Sequence, residues 1–130
     1  MSNSSEELYD ECFKSSNHSL FRVRELVANG ADVNWKNENY SNLTGFMYAC
    51  YYNHIETVKY LITIDAINLN LVNGFRRSGL YSACRDGRDQ VGSNEIVQIL
   101  LDDPRVDIML SDEDNCSPLM IAVYWGRTEV

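Results

Sequence analysis

The chain has 130 residues, of which 45% are hydrophobic and 23% are charged, so it can form one domain or one array of repeats with a buried core. Its formal net charge of −8 disfavours binding to nucleic-acid phosphates and to anionic membrane surfaces. The polar, acidic first residues lack the apolar run of a secretory signal, and the most apolar stretch, 60–72, is too short to span a bilayer. We therefore expect an intracellular protein in the cytoplasm, with the nucleus as the alternative.

Three segments of the chain share one pattern. Each begins with Ser or Thr, continues with Gly or Pro and a large apolar residue, and ends with Ala and a small apolar residue. These segments are 44–50, 78–84 and 117–123. A Ser or Thr side chain caps the free N–H groups of a first helical turn, and apolar residues three and four apart face one side of a helix. The pattern therefore predicts a helix start in each segment.

A second helix and a short extended tail complete each unit. Helical apolar spacing is present in the segments 21–27, 55–62 and 95–101. The tails that follow are 30–34, 67–70 and 106–109. A helix pair with a tail cannot bury its apolar face alone, so units of this kind are expected to stack on one another.

The first unit differs from the others in its polar residues. Ser4 and Glu7 form a capping-box pattern before Leu8. Glu11 occupies the position that Ala49 and Ala83 occupy in later units. A charge at that position predicts a solvated outer face on an end-capping unit.

These segments resemble the ankyrin repeat. The three starts match its T-P-L-H-x-A motif in part, and residues 30–34 read G-A-D-V-N, which matches its end motif in full. The resemblance implies an all-α solenoid of helix–loop–helix units joined by hairpin-like loops. The expected units are an N-terminal capping repeat at 1–40, a second at 41–74, a third at 75–113 with an inter-helix insertion at 87–91, and a truncated fourth at 114–130.

Two departures from the family motif have structural consequences. Met47, Tyr81 and Met120 replace its histidine, which predicts a weaker hydrogen-bond network between repeats. Gly45 and Gly79 replace its proline.

The residues favour no catalytic or metal site. Cys12, Cys50 and Cys84 share one repeat position, and helices packed about 8–10 Å apart hold such residues too far apart for a disulfide. His18 and His54 fall in turns between helices, without the cysteine pairs of a zinc site. We expect reduced thiols, no metal, no cofactor and no enzymatic activity.

The resemblance implies a concave face built from the loop tips and the outward side of each first helix. Aromatic side chains and arginine are the types that anchor protein interfaces. The candidate partner-binding residues at these positions are Trp35, Tyr40, Tyr51, Tyr52, Phe75, Arg76, Arg77, Arg85, Tyr124 and Trp125. The expected partner is an unidentified protein. The alternative is a structural segment of a longer ankyrin array that supports another domain, or an effector activity outside this chain.

The last unit generates a prediction about self-association. It has no second helix in this chain, although residues 119–125 are largely apolar, and repeat arrays need a polar terminal cap. Either more repeats follow, or another copy covers this surface. We expect the apparent mass in sedimentation to rise with protein concentration and hydrogen exchange to be fastest after about Asp112. A monomer at all concentrations, with uniform protection to Trp125, would contradict this.

Overall fold

The computed structural model describes residues 3–86, 93–117 and 120, which contain six α-helices and one two-stranded hairpin. The helices are α1 (Ser4–Phe13), α2 (Leu20–Ala28), α3 (Gly45–Tyr51), α4 (Ile55–Leu61), α5 (Gly79–Asp86) and α6 (Ser93–Leu101). Strands β1 (Lys36–Asn37) and β2 (Leu43–Thr44) pair antiparallel and enclose a 3₁₀ turn, Glu38–Tyr40.

The helices stack in two layers. In the first layer α1 contacts α3 and α3 contacts α5, while α2, α4 and α6 form the second layer in the same order. Within each unit the two helices also contact each other. Buried Leu, Ile, Val, Ala and Cys side chains from every helix form one continuous core. This arrangement confirms the predicted all-α solenoid of helix–loop–helix units.

Hydroxyl side chains begin the first helices, as the repeated pattern predicts. Thr44 Oγ1 accepts a hydrogen bond from the N–H three residues later at 3.3 Å, and Ser78 Oγ accepts the matching bond at 3.2 Å. Ser117 Oγ accepts one from the Met120 N–H at 3.3 Å. These bonds satisfy N–H groups that have no partner inside the helix.

The predicted capping box of α1 is wrong by one residue. Asn3, not Ser4, is the N-cap, and its Oδ1 accepts a hydrogen bond from the Ser5 N–H at 2.8 Å. Glu7 instead pairs with Arg22 of α2 at 2.6 Å. The asparagine competes well for this position because Asn ranks with Ser as a helix N-cap.

Glu11 is buried, with only 5% of its surface exposed, so the expected solvated outer face is also wrong at this position. Its carboxylate accepts hydrogen bonds from the Ser19 N–H at 2.8 Å and from Lys14 Nζ at 3.1 Å. Its main-chain carbonyl accepts one from His18 Nδ1 at 2.8 Å. A buried carboxylate is tolerated where it is fully hydrogen-bonded, and here it closes the turn between α1 and α2.

Two glycines let the first helices approach closely. A Cβ built on Gly79, the first residue of α5, would lie 2.7 Å from Cε2 of Phe46 and 3.2 Å from Sγ of Cys50. A Cβ on Gly45, the first residue of α3, would lie 3.3 Å from Sγ of Cys12. The glycines that replace the family's proline therefore fit a tighter contact between units.

Two histidines join the first unit to the second. Asn17 and Asn53 adopt left-handed backbone conformations, with φ of 58° and 61°, which Asn tolerates better than most residues. The turns place the rings of His18 and His54 in a parallel stack, with 3.8 Å between ring centroids. The Thr57 hydroxyl donates to His18 Nε2 at 2.6 Å.

Asparagines in the tails form a second link between units. The Asn34 side chain donates to the Ala66 carbonyl and accepts from the Asn68 N–H, both at 2.8 Å. Asn70 makes the same two bonds one unit further along. Met109 occupies the matching position in the third tail, and its side chain cannot make these bonds.

Some expected features lie outside the described residues. They are the insertion at 87–91 and, in the fourth unit, residues 118, 119 and 121–130.

The close helix contact predicts that Gly79→Ala destabilises the protein. The new Cβ would clash with Phe46, which is buried and has little room to move. We expect the clash to lower the free energy of unfolding by about 1–3 kcal/mol. Alanine also restricts the unfolded chain, which offsets a smaller part of this loss. Urea denaturation followed by circular dichroism measures this. Gly74→Ala is the control, because the nearest atom to its Cβ would lie at 3.4 Å; equal losses in both variants would contradict close packing at Gly79.

The histidine stack predicts a loss of stability on acidification. Burial and the neighbouring His18 ring lower the pKa of His54 below its ordinary value of 6.5. Below pH 6.5 the unfolded chain therefore binds a proton that the folded chain does not, and the free energy of unfolding falls until the pH reaches the lowered folded-state pKa. His54→Gln keeps an N–H donor for the Lys14 carbonyl, which His54 Nε2 contacts at 2.7 Å. Urea denaturation between pH 7.5 and 5 should show a smaller pH effect in the variant, and identical slopes would exclude His54 as its source.

Candidate protein-binding groove

Asn or Asp side chains accept the same turn-like hydrogen bond in the three loop tips. Asn37, Asn73 and Asp112 each accept a hydrogen bond from the backbone N–H two residues later, at 2.8–3.0 Å. Asn73 and Asp112 accept a second from the N–H four residues later, at 3.1 and 2.9 Å. Such bonds mimic a backbone turn, and the first tip differs from the other two in enclosing a 3₁₀ turn between two strands.

A line of aromatic rings connects the first tip to α1 and α3. The ring centroid of Tyr9 lies 5.5 Å from that of Trp35 and 5.3 Å from that of Tyr48, edge to face in both pairs. Phe13 lies 4.7 Å from Tyr48. Burial and the hydrogen bond from the Tyr9 hydroxyl to the Tyr48 hydroxyl, 3.3 Å long, raise the pKa of Tyr9. These contacts hold the outward sides of α1 and α3 in a fixed arrangement.

A groove of about 290 Å³ lies beside this line, between α3, α5 and the second tip. Its wall is mostly apolar and aromatic, with one guanidinium group. The lining residues are Leu43, Met47, Tyr48, Tyr51, Asn73, Phe75, Arg77, Tyr81 and Ser82. We call this the central groove. Tyr51 is 43% exposed and Phe75 is 45% exposed, so both present ring surface to an incoming molecule.

Arg77 links the second tip to the third. Its guanidinium carbon lies 5.4 Å from the ring centroid of Phe75 and 5.0 Å from that of Tyr81. Its Nε lies 3.6 Å from Oδ2 of Asp112, which is buried. Burial acts to raise the pKa of Asp112, but the N–H groups of Cys116 and Asp114, the Tyr81 hydroxyl and Arg77 together lower it. Arg77 is therefore held in place at the groove wall.

The structure brings together three of the predicted site residues. Tyr51, Phe75 and Arg77 line the central groove. Trp35 and Tyr52 are half-buried against neighbouring aromatic rings, while Tyr40 is exposed on the first tip and Arg76 on the second.

Three predicted site residues fall wholly or in part outside the described residues. The side chain of Arg85 and the whole of Tyr124 and Trp125 lie outside the described residues.

Sequence reasoning missed three residues that form the floor of the central groove. Met47 and Tyr81 are buried at the positions of the family's histidine, and Tyr48 follows Met47. The weaker hydrogen-bond network that the sequence predicts is not found at Tyr81. Its hydroxyl forms a hydrogen bond with the carboxylate of Asp112, which links α5 to the third tip. The signal available in the sequence was the aromatic character shared by Tyr9, Tyr48 and Tyr81 near matching positions.

A second cleft of about 250 Å³ lies one unit earlier, between α1 and the first tip. Its lining residues are Glu6, Tyr9, Asp10, Phe13, Asn37 and Tyr40. We call this the acidic cleft. Tyr48, which lines the central groove, contacts both Tyr9 and Phe13, so one aromatic ring separates the two.

In the described part of the chain, the buried cysteines lack the features of a catalytic nucleophile. Cys12, Cys50 and Cys84 are buried, and burial raises the pKa of Cys12 to about 12 and that of Cys50 above its ordinary range. A thiol with a raised pKa is a poor nucleophile. Among the residues that the structure describes, no group of three His, Cys, Asp or Glu side chains could hold a metal ion.

A family model of ankyrin repeats in three copies matches residues 12–104. The chain belongs to the ankyrin-repeat family. Ankyrin repeats are in general protein–protein interaction modules and are typically non-catalytic. No curated protein matches the chain. Over the described ranges, no helix is long and apolar enough to cross a membrane.

Proposed function

We propose that this ankyrin-repeat chain binds a protein partner through its concave side and that the central groove receives the partner's apolar side chains. The observation that carries the proposal is the groove of about 290 Å³ beside two half-exposed aromatic residues, Tyr51 and Phe75. Apolar pockets with a few oriented polar groups are the usual form of a binding site.

The groove has the chemical character of an interface centre. Its wall combines aromatic rings, Met47 and one arginine, which are the residue types enriched where binding energy concentrates. Arg77 is already positioned by Asp112 and two rings. A group held in place before binding loses little conformational entropy when the partner arrives.

The alternative, a purely structural segment, predicts that the aromatic residues are buried between units. Trp35 and Tyr9 fit that description, because their rings pack against each other. Tyr51 and Phe75 do not fit it, since nearly half of each side chain is exposed. This difference favours binding over a scaffold role for the central groove.

The test is a double variant, Tyr51→Ala with Phe75→Ala. Truncating two aromatic anchors should weaken partner binding by at least about 2 kcal/mol, roughly 30-fold in Kd. Proteins captured from a cell lysate by the intact chain and by the variant are quantified by mass spectrometry, and the affinity of each enriched protein is then measured by titration calorimetry.

Phe21→Ala is the matched control, because Phe21 is 77% exposed on α2 and lies outside the central groove. Circular dichroism and thermal melting establish that both variants are folded. Partners that bind the folded double variant as tightly as the intact chain would exclude the central groove as the binding site.

A further inference from the structure

The acidic cleft has a charge that the central groove lacks. Glu6 and Asp10 are exposed, lie one helical turn apart on α1 and both line the cleft. Within the residues described, neither carboxylate forms a salt bridge, although Glu7 and Glu11 on the same helix do. Lys36 borders an adjoining cleft together with Glu6 and forms no salt bridge with it.

Aromatic rings complete the surroundings of these carboxylates. Phe13 and Tyr40 are exposed large side chains of the same cleft, and the buried Tyr9 lines it as well. The face of an aromatic ring attracts a cation within about 6 Å of its centroid. Carboxylates and aromatic side chains around one cleft together favour a positively charged side chain with an aliphatic stem.

We propose that the partner segment is a basic extended peptide that places a Lys or Arg side chain in the acidic cleft and an apolar side chain in the central groove. This inference rests on the proposed function of the central groove. The cationic head contacts Glu6 and Asp10, and its stem lies against Tyr40 and Phe13. Charge complementarity selects this occupant, because an acidic or neutral peptide leaves both carboxylates without a partner.

The spacing of the two side chains follows from the repeat. First helices of neighbouring units pack about 8–10 Å apart, and an extended peptide advances about 3.3 Å per residue. Side chains on the same face of an extended peptide are separated by an even number of residues. The cation and the apolar residue should therefore be two or four residues apart.

The experiment uses synthetic decapeptides of Gly, Ser, Ala and Thr with one central Phe. Lys, Gln or Glu is placed two or four residues before or after the Phe. Fluorescence anisotropy measures the Kd of each peptide for the intact chain. At one offset, we expect the Lys peptide to bind about tenfold more tightly than its Gln counterpart, as for a close charge pair at an interface.

Two double variants with equal changes in net charge identify the source of this preference. Glu6→Gln with Asp10→Asn removes the carboxylates of the acidic cleft. Asp65→Asn with Asp102→Asn removes two exposed carboxylates that follow the second helices and line neither groove. The preference for Lys should disappear in the first variant and persist in the second, and thermal melts should show that both are folded.

Each result distinguishes this inference from the proposed function. Two results would overturn the basic-peptide assignment but not the central groove. In the first, peptides bind through Tyr51 and Phe75 without a preference for Lys. In the second, the preference for Lys persists in the variant Glu6→Gln with Asp10→Asn. If every peptide binds the double variant Tyr51→Ala with Phe75→Ala as tightly as it binds the intact chain, both the groove assignment and the basic-peptide assignment are wrong.

Discussion

The close contact between first helices is the constraint on which the rest of this structure depends. Gly79 leaves no space for a Cβ against Phe46, and Gly45 leaves little against Cys12. Because α1 and α3 pack this closely, ring centroids on their outward sides lie 4.7–5.3 Å apart. Tyr48 can therefore contact Tyr9 and Phe13 of the preceding unit while lining a groove with residues of the following one. A looser stack would separate these rings and open the wall of the groove.

Polar links at the edges of the stack complement this packing. The histidine stack joins the helix turns of the first two units. Asn34 joins the first tail to the second, and Asn70 joins the second to the third. Arg77 joins the second and third tips. Each link spans neighbouring units only, as expected for a structure in which stability is a sum of unit and nearest-neighbour terms. The central groove lies between the second and third units, which Asn70 and Arg77 also join.

The sequence predicted what local rules determine. The Thr44 and Ser78 caps and the second helices follow from short-range patterns, and the structure confirms them. The state of Glu11 could not be predicted, because its burial depends on the Ser19 N–H at the start of another helix. The role of Tyr81 depends on Asp112, more than 30 residues later in the chain. The positions of Tyr51, Phe75 and Arg77 in the repeat predicted that they lie on one surface. The position of Trp35 did not predict its ring contact with Tyr9.

The distribution of charge along the concave side says more about recognition than the net charge of −8 does. Net charge attracts any cationic molecule at long range, an effect that salt screens within about 10 Å. At contact distance the two ends of the surface differ, because Arg77 has Asp112 beside it while Glu6 and Asp10 have aromatic rings instead of cations as neighbours in the cleft. Under the proposed basic-peptide assignment, a segment with one cation beside one apolar residue fits this surface in one direction only. The reversed segment would place its cation near Arg77, where like charges repel, so the order of the two side chains in a partner determines how it lies across the repeats.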